Sequence, residues 1–146
     1  MEVRMNSNTF GAELENNKKV VQLFNLEVIE KGNSEIIHEI IDPAFVNRTA
    51  APGTDAGIGG MLNTFNNILR PALKDMKVKI HEQVAEKDLV TTRKTISGLH
   101  VRPLAEAPPT GNVVEIDVID IVRLKNGRYL EHWGLNTFQQ VISKLK

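Results

Sequence analysis

The 146-residue sequence predicts an α+β fold in which a curved antiparallel sheet wraps around N-terminal helices. Apolar residues recur with helical spacing up to Pro71, and they alternate with polar residues after it. Helices that precede strands within one compact length favour an α+β domain over the alternating order of a parallel-sheet fold. A cone of this kind leaves a hollow between the helices and the sheet, where a small molecule can bind.

The composition of the chain excludes several functions. Eighteen basic and eighteen acidic residues cancel, which argues against nucleic acid as a partner. There is no cysteine to form a disulfide, a thiolate nucleophile or a metal ligand. The histidines lack metal-ligand spacing and no phosphate-binding glycine motif occurs, so no metal or nucleotide cofactor is predicted. No segment has the apolar length of a signal or a membrane span, so we expect one cytoplasmic domain, residues 1–146, without a membrane partner.

Three helices are predicted in the first half of the chain. Residues 1–12 are polar and carry no period, so we expect them to be flexible. The first helix spans about residues 13–31, and Gly32 stands where a left-handed C-terminal cap belongs. A shorter helix with an isoleucine stripe at 36–41 ends at an Asp-Pro pair, and a third helix spans 58–70.

The third helix carries an apolar stripe that includes Phe65 and Leu69, which we expect to be core or pocket wall. A long proline-rich loop over residues 98–111 is of the kind that often covers a site. The strands and the closing helix are predicted at residues 76–81, 89–96, 113–124, 128–135 and 138–145.

The hairpin made by the last two strands carries an acid, Asp120, and a histidine, His132. A two-residue primed turn at Asn126-Gly127 places their side chains on opposite faces of the sheet. A type I turn over Lys125 and Asn126, followed by a left-handed bulge at Gly127, places them directly opposite each other, with Cβ atoms roughly 5 Å apart. The residues admit either turn.

Several short motifs in this half of the chain resemble those of the SnoaL-like polyketide cyclases and ester cyclases, within the nuclear transport factor two-like superfamily. The motifs are Gly98-Leu99-His100, Pro108-Pro109-Thr110-Gly111, Asp120 with Arg123, Asn126-Gly127-Arg128 and Glu131-His132-Trp133. The resemblance runs through about residues 17–142 and implies the cone-shaped fold. Two residues, Arg48 and Asn136, depart from the family pattern, which commonly has histidine and aspartate there.

The resemblance favours the bulged turn, because the family carries Asp-Gly-Lys at this point, and the resulting register sorts the two strands. One face then carries Val118, Asp120, Val122, Leu130 and His132, and the other carries Ile119, Ile121, Glu131 and Trp133. Helices can cover only the concave side. The convex face with Trp133 is therefore a candidate homodimer interface.

The pair on the concave face has the chemistry that proton abstraction next to a carbonyl requires. A carboxylate in an apolar hollow is a stronger base than in water, and an imidazole beside it can donate to an enolate. With the resemblance, this predicts a cofactor-independent enzyme acting on a small apolar or aromatic carbonyl compound, with Asp120 as base and His132 as its orienter or proton donor. Asn47 and Arg48 are candidate ligand contacts at the entrance, and His100 is another, unless it anchors the long loop. The alternative is a non-catalytic binding or docking module on the same fold.

Overall fold

The computed structural model describes the backbone of residues 2–146 and the side chains of residues 11–146. The first helix, α1, continues into a wider π-helical segment, and so does the third helix, α3. The helices are α1 (Glu2–Leu23, then π-helical Phe24–Glu30), α2 (Ile37–Ile40), α3 (Ile58–Asn63, then π-helical Thr64–Leu69), α4 (Arg70–Ala72) and α5 (Phe138–Leu145). The strands are β1 (Ile41–Asn47), β2 (Leu73–Glu86), β3 (Leu89–His100), β4 (Val113–Lys125) and β5 (Arg128–Asn136).

The five strands form one curved, open sheet in the order β1-β5-β4-β3-β2. Strands β2 to β5 are paired antiparallel, as a meander, which confirms the predicted fold class. The outer strand β1 is parallel to β5, so one edge of the sheet departs from the antiparallel prediction. The helices pack on the concave side.

The helical prediction holds at the end of the first helix but not at its start. Gly32 has φ of +70°, as expected of a left-handed cap. The helix begins at Glu2 and not near residue 13, because the polar residues before that point give no apolar period from which to detect it. Met1 lies outside the described residues.

Strand β1 was not predicted, because the isoleucine stripe and the Asp-Pro pair indicated a helix and its end. The helix stops at Ile40 and the strand begins at Ile41. Proline is tolerated in an edge strand, where its missing N–H faces no partner. Pro43 lies in such a position, between the paired residues Ile41 and Val46.

The core fills the space between the helices and the sheet, and along β4 it extends from Val114 and Ile116 to Val122 and Leu124. The ring of Phe24 stacks on that of Tyr129 at 4.5 Å between centroids, and Phe65 meets Phe24 edge-on at 6.1 Å. Leu69 is buried in the same cluster. Arg70 ties the two long helices together, since its guanidinium donates to three carbonyl oxygens at the end of the first one. No helix in the described part of the chain is long and apolar enough to cross a membrane.

Candidate active site

The turn between β4 and β5 is a two-residue primed turn, so the predicted bulged turn is wrong. Asn126 and Gly127 have φ of +52° and +74°, and Lys125 pairs with Arg128. These are the positive angles at both central positions that a type I′ turn requires. On its own, this turn would have separated the acid and the histidine.

A bulge in β5 reverses that outcome. Leu124 pairs with Tyr129, but the preceding residue Arg123 pairs with Glu131, so that Leu130 is an extra residue without a partner. One extra residue shifts the alignment of everything beyond it by one position, which moves side chains to the other face.

Beyond the bulge, Asp120 and His132 project from the same face of the sheet. His132 pairs with Val122, and Asp120 pairs with Gly134, so the two side chains are diagonal neighbours rather than directly opposite. The predicted shared face is therefore confirmed for this pair. Leu130 was expected on this face as well, but it is the bulged residue and is only partly buried. Tyr129 is the buried residue of β5 next to the turn.

The carboxylate of Asp120 is only 5% exposed, and its two oxygens have different surroundings. Oδ2 lies 3.1 Å from Nζ of Lys94 and 3.4 Å from Nε2 of His132. Oδ1 is buried and has no hydrogen-bond partner among the described residues. Buried polar atoms are normally paired, so an unpaired carboxylate oxygen marks a candidate reactive atom.

The imidazole of His132 is held by Asn47. Its Nδ1 lies 2.9 Å from Oδ1 of Asn47, and the same oxygen accepts hydrogen bonds from the backbone N–H of Thr49 at 3.2 Å and from its hydroxyl at 3.1 Å. The backbone donor fixes which end of the amide is oxygen, so Nδ1 must carry the proton and donate it. The other ring nitrogen, Nε2, is thereby directed at the carboxylate.

Opposing influences act on the pKa of Asp120. Burial raises it, because desolvation penalises the charged form, but the Lys94 charge and the hydrogen bond and charge of His132 lower it, and the net pKa lies below its usual value. The pKa of Tyr129 is raised well above its usual value by its burial and by the charge of Asp120. The geometry therefore favours the ionised carboxylate at neutral pH.

Lys94 is the functional candidate that the sequence analysis missed. It is 3% exposed and donates to Oδ1 of Asn25 at 2.7 Å as well as contacting Asp120. A lysine in a strand usually faces water. Its position in the strand could have identified it. Lys94 is an even number of residues from the buried Val90 and Ile96, so its side chain lies on the same face of β3.

The structure separates Arg48 from Asn47. The side chain of Arg48 is exposed and pairs with Glu131, with Nε 2.8 Å from Oε2. Glu131 also binds Arg123, whose guanidinium lies 5.9 Å from the centre of the Trp133 ring. Arg48 thus belongs to the convex surface, and of these two residues only Asn47 contacts His132.

His100 is fully buried and holds the long loop. The backbone N–H of Thr110 donates to its Nδ1 at 3.3 Å, so Nε2 must carry the proton; that nitrogen has no hydrogen-bond partner among the described residues. His100 lies six positions beyond Lys94 on β3, which is roughly 20 Å along a strand. It anchors the loop and is not part of the Asp120 site.

The site reaches the surface at His132. The side chain of His132 is 24% exposed, and Asn136 farther along the strand is exposed. A cleft of about 360 Å³ near the ends of β4 and β5 includes neither Asp120 nor His132 in its lining, which is made by Arg93, Lys94, Asp117, Val118, Ile119, Leu135, Asn136 and Thr137. Phe65 lies against the aromatic core instead. Within the side chains that the structure describes, no three His, Asp or Glu groups converge as metal ligands would.

Comparisons with known proteins agree with the fold of this chain. The family model of the SnoaL-like polyketide cyclases matches residues 19–142. IdmH of Streptomyces antibioticus, to which polyketide cyclase activity is attributed, is 26% identical, with 88% of this chain and 97% of its own covered at a TM-score of 0.76. TsrD of Streptomyces laurentii is 21% identical, with 90% and 95% covered at 0.78.

A further similar structure is AclR of Streptomyces galilaeus, to which hydroxylase activity is attributed; it is 19% identical, with 90% of this chain and 96% of its own covered at a TM-score of 0.76. No curated protein matches the sequence. The match of the family model over most of its length places this chain in the SnoaL-like polyketide cyclase family.

Proposed function

We propose that the protein is a cofactor-independent enzyme that abstracts a proton next to the carbonyl group of a small, largely apolar molecule. Asp120 is the base, and His132 orients it and returns the proton. The chemistry is shared by aldol-type ring closure and by keto isomerisation, and the family and the attributed activities of its structural neighbours support it.

The unpaired Oδ1 of Asp120 is the observation that carries this proposal. The other oxygen is held by Lys94 and His132, so the carboxylate cannot rotate without breaking those contacts. Oδ1 is buried, has no described partner and belongs to an ionised group, which is what a general base needs before the substrate arrives. Burial raises the pKa of this carboxylate, but Lys94 and His132 lower it by more, so its net pKa lies below the usual value and it is a weaker base than a free aspartate.

His132 is suited to handle the proton after its abstraction. Asn47 holds its Nδ1–H, so Nε2 is the nitrogen that exchanges a proton with the carboxylate or the substrate. An imidazolium can donate its Nε2 proton to the oxyanion or to a product atom, and the neutral ring that remains can accept a proton in return. Fixed orientation through a second hydrogen bond is typical of catalytic histidines.

A non-catalytic binding module is the second candidate, and the aromatic core favours it. Phe24, Phe65 and Tyr129 occupy the space between helix and sheet at the turn end of the hairpin. Asp120 precedes Leu124, the partner of Tyr129, by four residues, roughly 13 Å along the strand, and its charge still acts on Tyr129. We favour the enzyme because the chain retains the acid and the histidine in contact, which a purely binding module does not need.

Deuterium incorporation tests the proposal without knowledge of the natural substrate. Aromatic and aliphatic 1,3-diketones and β-keto esters are incubated with the protein in D₂O, and exchange at the α-carbon is followed by NMR. We expect the protein to accelerate exchange for some of them and Asp120→Asn to abolish that acceleration while retaining the circular dichroism of the folded protein. Equal exchange with the variant, or no acceleration across the panel, contradicts the proposal.

We propose further that the protein is a homodimer through its convex face. Ile119, Ile121 and Leu135 are 52%, 37% and 79% exposed there. The register places Ile119 opposite Leu135 and Ile121 opposite Trp133, so these residues form one continuous apolar patch on β4 and β5. Patches of this kind on a soluble domain commonly mark an association surface.

A further inference from the structure

We propose that Lys94 is a third functional residue of this site, the cation that balances the charge of Asp120 before proton abstraction and that of the enolate oxygen after it. The inference rests on the proposed function, but it concerns a group that neither the family motifs nor the acid–histidine pair includes. It also restricts the substrate class to neutral carbonyl compounds that become monoanions in the reaction.

The contacts of Lys94 fix its ammonium group within the site. Its side chain is 4% exposed, and Nζ lies 3.1 Å from Oδ2 of Asp120 and 2.7 Å from Oδ1 of Asn25. Asn25 is itself held, since its amide donates to the carbonyl oxygen of Val21 at 2.8 Å. These contacts connect the ammonium to the first helix, and they leave it little freedom to move away.

The residue of the first helix that contacts the lysine lies in its π-helical segment. Asn25 is the second residue of the segment Phe24–Glu30 and is buried, although most asparagines lie at the surface. Single π-helical turns are frequent at functional sites, because they shift the side chains of one turn relative to a regular helix. A polar connection therefore runs from the first helix through Lys94 to the base.

The charges at the site change in a defined way during the proposed step. The C–H bond next to the substrate carbonyl breaks, its proton goes to Oδ1 of Asp120, and its electron pair passes to the carbonyl oxygen to give an enolate. Asp120 becomes neutral, so the charge of Lys94 loses its partner at the moment when a new anion forms beside it. An ammonium has three N–H donors, and Asn25 and Asp120 account for two of them.

The other ionisable groups near Asp120 do not replace this cation. His132 on β5 contacts the same oxygen, Oδ2, but its Nδ1 is bound to Asn47. Tyr129, also on β5, senses the charge of Asp120 and is neutral at pH 7, because its pKa is raised. Lys94 on β3 is the lysine or arginine that contacts the carboxylate in the described part of the chain, with Nζ 3.1 Å from Oδ2.

A purely structural ion pair is the competing explanation. Such a pair can be replaced by two neutral residues with little loss of stability, whereas removal of one member leaves a buried charge. The two explanations differ in what happens once Asp120 is neutral. If Lys94 serves the reaction, a neutral residue at position 120 should turn the site into a receptor for an oxyanion.

Binding of 4-nitrophenolate tests this difference, since its oxyanion resembles an enolate and its visible absorption reports ionisation. At a pH where the phenol is ionised in solution, we expect Asp120→Asn to bind it about tenfold or more tightly than the unmodified protein, the usual contribution of one hydrogen bond to a charged group. In the unmodified protein Asp120 already neutralises the lysine and repels the probe.

The double variant Asp120→Asn/Lys94→Met should lose this gain, and because it buries no unpaired charge it is expected to fold. Asp120→Asn/Lys94→Arg should retain it, and nitrobenzene, which has no oxyanion, should bind all variants alike. Equal binding of the phenolate by Asp120→Asn and the double Met variant would overturn the role of Lys94. Since binding needs no turnover, this result is separable from failure of the deuterium-exchange test.

Discussion

Asp120 stands directly opposite Gly134 in the β4–β5 ladder, and the imidazole of His132 occupies the space beside that glycine. A Cβ atom at position 134 would lie 2.8 Å from Cε1 and 3.2 Å from Nε2 of the ring, and 3.7 Å from Cβ of Asp120. The absence of a side chain at Gly134 is thus what allows a diagonal neighbour to reach the carboxylate.

Replacement of Gly134 by alanine should therefore displace the imidazole. Its φ is not in the left-handed region, so the backbone accepts alanine and the strain falls on the ring. We expect the rate of the proposed proton abstraction, measured by deuterium exchange, to fall about 100-fold, the cost of a displacement near 1 Å in a catalytic group. Histidine ¹⁵N NMR should show that the hydrogen bond of Nδ1 has changed.

Two controls accompany that variant. Gly11 has open space around it, so Gly11→Ala should leave kcat unchanged. In a His132→Ala background, Gly134→Ala should have almost no further effect, because the clashing ring is gone. Additive effects of the two substitutions would show that Gly134 acts on something other than the histidine.

Loss of the Asn47 amide should disturb the orientation of the histidine without removing it. In Asn47→Ala the Nδ1 proton loses its acceptor, so we expect kcat to fall about tenfold, the value of one buried hydrogen bond of about 1.4 kcal/mol. Arg48→Ala is the matched control, since this neighbour pairs with Glu131 on the convex surface. If Asn47→Ala and Arg48→Ala had the same kcat, Asn47 would have no role in the site.

The stability of the protein should depend on the ionisation of Asp120 at acidic pH. Its pKa in the folded protein is lower than the ordinary value, so the carboxylate stabilises the fold above about pH 4, and this contribution is lost as the pH falls through the folded pKa. Urea unfolding should show the unmodified protein more stable than Asp120→Asn by about 3 kcal/mol at pH 7, the usual cost of breaking a buried pair. The difference should shrink below about pH 4; a difference that does not change with pH would argue that Asp120 is uncharged.

The convex patch can be tested by its effect on assembly. Leu135→Glu should weaken a dimer about tenfold or more, because a charge then replaces an apolar contact in its centre. Leu26→Glu is the control, as this residue is also an exposed leucine, 43% against 79% for Leu135, but lies in the first helix. Sedimentation velocity over a range of concentrations measures both; monomers throughout for the unmodified protein would contradict the dimer.

The sequence correctly predicts that Asp120 and His132 share one face of the sheet, but it attributes this to a bulge in the turn, at Gly127, where the structure has none. The Asn-Gly pair forms the two-residue turn that its composition favours, and the compensating bulge lies three residues later, at Leu130. Bulges have no strong sequence signature at a leucine, because the extra residue is fixed by how the two strands pack on the core. Periodicity alone could not have located it.

The remaining omissions have a related cause. Lys94 occupies a position of β3 that alternates in step with buried residues, but lysine is a residue type that usually lies at the surface. Its residue type suggested exposure, and the structure shows that it is buried. Strand β1 begins within an isoleucine run that also fits a helix, and only its pairing with β5 decides between them. Long-range contacts determine both features, whereas the predicted helices and the meander follow from local patterns.

The unpaired Leu130 also bears on how such proteins can diverge. Loss of that one codon would leave the turn and the core intact up to Tyr129, yet it would rotate His132 to the convex surface and bring its neighbours inward. A single-residue deletion or insertion at this position would thus be enough to separate the proposed acid and histidine or to bring them together. No polar side chain would have to be replaced.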